Sequence, residues 1–175
     1  MWPNDNWRKW RLIIKLDPDK EVDGKWLGRI ISQPAVDGVI VGGTQNITRE
    51  NTNALIHLVR ETGYAGPLIQ EISELEAVSL NVDGYLLPVV LNTGEREWLI
   101  GKHLEAVKKF GDIIDWSQIL PEAYIICNPG CAAAKLTRAR QPSLDDLMAY
   151  LVLAEEVYRL PIVYLEYSGL YGNVE

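Results

Sequence analysis

Cysteine, runs of basic residues and long apolar stretches are all scarce in this sequence, and each scarcity excludes something. Its 175 residues include two cysteines, Cys127 and Cys131. No second Cys/His pair accompanies them to complete a zinc site, so they read as free thiols, with a metal pair as the alternative. No Lys/Arg run exceeds two residues and the formal charge is -7, a balance that disfavours nucleic acid and anionic membrane surfaces as partners. No apolar stretch approaches the roughly 20 residues that cross a bilayer. The opening "MWPNDNWRKW" also lacks the apolar core of a signal peptide, so the expectation is a cytoplasmic protein with no transmembrane segment. The G-x-G-x-x-G fingerprint of dinucleotide binding is missing too, since "KLDPDK" follows the first apolar run instead.

What is present is alternation. Short apolar runs, "RLIIKL" (11–16), "DGVIVGG" (37–43), "PLIQEI" (67–72), "DGYLLPVVL" (83–91), "AYIICN" (123–128) and "PIVYLEY" (161–167), read as strands. Helical patterns lie between most of them, at Glu21 to Ser32, Thr48 to Glu61, Glu97 to Phe110 and Leu144 to Tyr158. "SELEAVSLN" (73–81) is too short and ambiguous to assign as a helix. Near-continuous apolar strands alternating with helices predict an α/β fold with a covered parallel sheet, either a (β/α)8 barrel or an open doubly wound sheet. Polar residues recur at strand C-termini: Lys15 and Asp17, Thr44, Asn92, Asn128 and Glu166. Barrel active sites are built from those ends, which favours the barrel. Only six units can be counted where a barrel has eight, so the expectation is a single barrel domain over 1–175 that lacks its C-terminal units.

Several residues carry possible chemistry, each beside a plainer reading. Lys15 and Asp17 in "KLDP" share a side of the strand end by period-2 alternation and suit an anion and a hard cation, or else an ordinary ion pair. The glycine pair before Thr44 allows close backbone approach to a ligand, or is a simple turn. A carboxylate plus a hydroxyl suits Mg2+, which takes few protein ligands and completes its shell with phosphates and water. Asp145 and Asp146 follow Ser143 and fit the first turn of a capped helix better than a metal motif. His57 reads as packed or solvated. Lys102 and His103, near a helix start, are candidates to meet phosphate oxygens, with a structural role as the other reading.

Taken together, "WRKWRLIIKLDPDKE", "DGVIVGGTQNIT", "LLPVVLN", "CNPGCAAAKLT" and "IVYLEYSGLYGN" resemble the geranylgeranylglyceryl and heptaprenylglyceryl phosphate synthase family, most closely its bacterial, PcrB-like branch. The resemblance runs in order along essentially the whole chain. It implies a (β/α)8 barrel and a Mg2+-dependent homodimeric prenyltransferase of ether-lipid synthesis, which joins a polyprenyl diphosphate to the C3 hydroxyl of sn-glycerol 1-phosphate. It also implies roles for residues. Asp17 and Thr44 match the metal positions. Lys15 and the run Tyr164, Leu165, Glu166, Tyr167, Ser168 and Gly169 match the glycerol phosphate site, with Glu166 as the group that takes or orients the hydroxyl proton. Family members that use the C20 donor carry Trp where Ala106 falls, so Ala106 implies a longer, C35 heptaprenyl donor. The family continues through two further βα units, so the sequence is expected to be a piece of a longer protein. Two readings compete with this one: a noncatalytic remnant that binds prenyl lipid or a partner, and an unrelated barrel enzyme acting on a sugar phosphate.

Overall fold

A computed structural model describes residues 6–167. Six parallel strands form: β1 (Ile13–Leu16), β2 (Gly38–Val41), β3 (Leu68–Glu71), β4 (Gly84–Val90), β5 (Ile119–Ile126) and β6 (Ile162–Glu166), ordered β1-β2-β3-β4-β5-β6. Sequential order is that of a (β/α)8 barrel, of which six units are present, and it removes the doubly wound alternative, whose strand order reverses at a switch point. Among the described residues, five α-helices accompany the strands: α1 (Gly24–Ile31), α2 (Arg49–Glu61), α3 (Lys102–Phe110), α4 (Ala132–Thr137) and α5 (Leu144–Val152).

The chain divides into two compact units. The first runs up to Leu86 and adds Ile113–Leu120; the second comprises Leu87–Asp112 and the residues from Pro121 on. In the first unit β2 and β3 are buried at every position, which is why their sequences do not alternate in polarity. Register follows from pairs such as Lys15 with Ile40 and Ile40 with Ile69. On α2, Thr52, Leu55, Ile56 and Val59 are the buried residues, and their spacing of three and four places them on one face. Helix α2 starts where Thr48 and Asn51 bond each other's backbone N–H groups as a reciprocal cap. Asp37 fixes the entry to β1 by accepting the backbone N–H groups of Arg11 and Leu12, and these bonds hold its carboxyl below the ordinary value.

In the second unit, Val90, Tyr124, Ile126, Cys131, Ala133 and Ala134 form a buried cluster against which Trp98, Ala139 and Tyr164 pack. Asn92, at the end of β4, is fully enclosed and ties three segments together. Its amide nitrogen donates to the carbonyls of Ile126 and Arg140, and its amide oxygen accepts from the Ile126 N–H.

Three features differ from the sequence reading. Strand β5 begins at Ile119, four residues before the expected 123. Pro121 is tolerated because the pairing with β6 starts only at Glu122, so no ladder bond is lost to the missing N–H. The expected helix from Glu97 opens with a π-helical turn, Glu97–Gly101, before α3, and the one expected to reach Tyr158 ends in another, Leu153–Val157. Helix α4 was not expected at all.

Candidate active site

The first unit places Lys15, Asp17, Gly42, Gly43, Thr44 and Glu71 around the ends of β1, β2 and β3. Lys15 does not pair with its sequence neighbour Asp17. Its Nζ donates to both carboxylate oxygens of Glu71, at 2.9 and 2.7 Å. The Glu71 side chain is only 5% exposed, so this pair takes a carboxylate out of water and compensates it with a charge-assisted contact. Glu71 was missed in the sequence. The signal was present, because period-2 alternation puts it in line with Ile69 at a strand C-terminus.

Glycine at 42 and 43 is a steric requirement. A Cβ on Gly42 would lie 2.7 Å from Glu71 Cβ, and one on Gly43 would overlap the Asp17 carboxylate. The bare backbone therefore lets Asp17 lie against the residue that precedes Thr44. Asp17 is half-buried and its Oδ1 accepts the Asp19 N–H at 3.0 Å, which closes the "DPD" turn and fixes the carboxylate. A carboxylate and a neighbouring hydroxyl are hard oxygen donors that fit Mg2+ with substrate phosphates and water completing its shell. Among the described residues no group of three or more His, Cys, Asp or Glu forms an all-protein metal cage.

The second unit holds Glu166 at the end of β6. Strand register sets Tyr124 beside Tyr164 and Ile126 beside Glu166. The two tyrosine rings stack with centroids 4.8 Å apart, and the Tyr124 hydroxyl donates to Glu166 Oε2 at 2.6 Å. Glu166 is 5% exposed. Burial, and then the Glu166 charge, raise the Cys127 thiol above its ordinary value, so Cys127 stays protonated at neutral pH. Leu165 and Tyr167 alternate outward and are exposed, while Tyr164 is half-buried. Ser168 and Gly169 lie outside the described residues.

Other candidates have structural partners. His103 Nε2 meets the Pro88 carbonyl at 2.8 Å, tying α3 to β4, and Lys102 lies over the Trp98 ring at 4.0 Å. His57 is exposed beside Glu61. Asp146 forms a reciprocal cap with Ser143, and those bonds lower its carboxyl below the ordinary value. Cys131 is buried and its Sγ accepts the Ala134 N–H, capping α4. Ala106 is half-buried, as are His103 and Phe110, whereas Leu104, Glu105 and Val107 are exposed. The three thus share the inward face of α3, as their spacing required.

Six sequential βα units among the described residues, with polar side chains at the strand C-termini, place the chain in the class of barrel-type enzymes. Comparison with known proteins narrows this. The PcrB family model matches residues 5–175, and the chain belongs to that family. It is 47% identical, over 95% of its length, to the heptaprenylglyceryl phosphate synthase of Geobacillus kaustophilus (strain HTA426), covering 69% of that protein. Against the protein of the same name from Geobacillus sp. (strain WCH70) it is 47% identical over 96% of its length, covering 73% of the relative. Among solved structures, wild-type GGGPS from Thermoplasma volcanium superposes with a TM-score of 0.76 at 19% identity, over 90% of this chain and 64% of that one. The (S)-3-O-geranylgeranylglyceryl phosphate synthase of Thermoplasma acidophilum, in complex with sn-glycerol-1-phosphate, gives 0.78 at 20%, over 94% and 68%. These two structures bear out the barrel-type fold. The chain thus spans roughly two thirds of the length of these proteins.

Removing one partner of the Lys15–Glu71 pair strands a buried charge. Lys15→Ala is expected to lower unfolding free energy by about 2 kcal/mol in urea titrations, and Lys15→Ala/Glu71→Gln to recover most of it, because a neutral amide carries no such penalty.

Proposed function

We propose that the protein transfers a polyprenyl group from its diphosphate to the C3 hydroxyl of sn-glycerol 1-phosphate, with Mg2+ as cofactor and heptaprenyl diphosphate as the preferred donor. The observation that carries this reading is the likeness, along nearly the whole chain, to the heptaprenylglyceryl phosphate synthases.

On this reading the Lys15 ammonium, held in place by Glu71, binds the phosphate of the acceptor. By the family likeness Tyr164, Leu165, Tyr167, Ser168 and Gly169 are also assigned to acceptor binding, with Glu166 as the base. Asp17 and Thr44 would hold Mg2+, which supplies charge neutralisation for the departing diphosphate. The acceptor oxygen bonds to the prenyl C1 as the bond from C1 to the diphosphate oxygen breaks, and the electron pair leaves with the diphosphate. The hydroxyl proton passes to the Glu166 carboxylate and from there to solvent.

Homodimer formation and a cytoplasmic location belong to the same reading. The exposed Leu144, Met148 and Val152 of α5 recur every four residues and form an apolar stripe suited to burial against a second copy. Among the described residues no helix is long and apolar enough to cross a membrane.

Incubation with sn-glycerol 1-phosphate, Mg2+ and labelled heptaprenyl diphosphate should yield heptaprenylglyceryl phosphate; a protein that binds these ligands without product is a noncatalytic remnant. Glu166→Gln should slow turnover by about two to four orders of magnitude, the usual worth of general acid-base catalysis, with a much smaller change in acceptor KM. Asp17→Asn should raise the Mg2+ concentration needed for half activity without moving the melting temperature.

Donor length rests on Ala106, whose methyl leaves room along the inner face of α3 for a longer tail, at about 25 cal/mol per Å2 of apolar surface buried. Ala106→Trp should shift the ratio of kcat/KM from the C35 towards the C20 donor and leave acceptor binding unchanged. An unaltered ratio would place the end of the prenyl groove elsewhere.

A further inference from the structure

Glu166 is a poor base if burial alone governs it, because desolvation favours the neutral acid. What lies next to it answers that difficulty. Tyr124 is 6% exposed, and its ring is fixed from two sides, by the stack on Tyr164 and by the cluster containing Val90, Ile126 and Cys131. Its hydroxyl therefore has little choice of direction, and the 2.6 Å contact to Oε2 lies in the range of a hydrogen bond to an ionised carboxylate.

We propose that Tyr124 is a positioning residue for Glu166: by donating to Oε2 its hydroxyl fixes the carboxylate rotamer and favours the ionised form. The inference rests on the reading of Glu166 as the base. A hydrogen bond donated to the charged form favours that form, so the phenol offsets the cost of burial without itself touching substrate.

Among the described residues, three other ionisable groups stand near Glu166 on β5 and β6. Cys127, at the end of β5, remains a neutral thiol at neutral pH because burial and the Glu166 charge both raise it. Tyr164 precedes Glu166 by two residues on the same face of β6. Glu122 shares the face of β5 with Tyr124 but pairs in register with Ile162, four residues before Glu166.

The test is the pH dependence of kcat/KM for glycerol phosphate in the wild type, Tyr124→Phe, Glu166→Gln and the double variant. Phe keeps the ring, the stack and the core. Without the hydroxyl the acid limb should move up by about one pH unit or more, the worth of a hydrogen bond to a charged group, and the rate lost at low pH should return as pH rises. In the Glu166→Gln background the same change should cost no further rate. Placing 3-fluorotyrosine at position 124, a stronger donor of nearly the same shape, should move the limb the opposite way with the packing intact. An unmoved limb in both Tyr124 variants while Glu166→Gln is slow, or an equal fold-loss from Tyr124→Phe in both backgrounds, overturns the role of Tyr124 alone. Near-normal turnover in Glu166→Gln overturns the base assignment, and the proposal with it.

Discussion

Where a strand is buried, no water reaches its polar side chains, so such groups need partners inside the protein. The chain meets this demand in pairs. Lys15 meets Glu71, and Tyr124 meets Glu166. Gln70 spans the Ala77 carbonyl and the Ser79 N–H, and Asn92 clasps Ile126 and Arg140. Each pairing removes rotational freedom from the group it satisfies. A carboxylate or ammonium held this way is already oriented before substrate arrives, and pre-orientation is the larger part of what a site contributes beyond its chemical groups.

The same economy governs the backbone. Where β2 ends, side chains would compete for the space that Glu71 and Asp17 occupy, and Gly42 and Gly43 concede it. Missing Cβ atoms in one strand thus serve carboxylates from two others. Substituting either glycine would press a Cβ against an acid, Glu71 from position 42 and Asp17 from position 43.

Much of this was legible in the sequence, and the exceptions have physical causes. All six strands were marked by apolar runs, and the polar residues at their C-terminal ends pointed to Lys15, Asp17, Thr44 and Glu166. Their individual roles came from the family resemblance and not from periodicity. Glu71 stood at a strand C-terminus like the others, but its pairing with Lys15 was hidden because the two lie 56 residues apart. Tyr124 was hidden because an aromatic residue in an apolar strand reads as core, which it also is. Helix α4 has six residues, fewer than an isolated helix needs, and its cap is a cysteine, a residue outside the usual capping set. The start of β5 was masked by Pro121, whose missing donor falls just ahead of the ladder with β6.

The proposed reaction has the C3 hydroxyl oxygen of the acceptor attack the prenyl C1 and not phosphorus. Transfer from heptaprenyl diphosphate to sn-glycerol 1-phosphate labelled with 18O at the C3 hydroxyl, followed by mass analysis of the product, tests this most directly. The label is expected to be retained in the ether oxygen, and the released diphosphate to be unlabelled. A label bridging glycerol C3 to phosphorus, or the absence of any ether product, would contradict it.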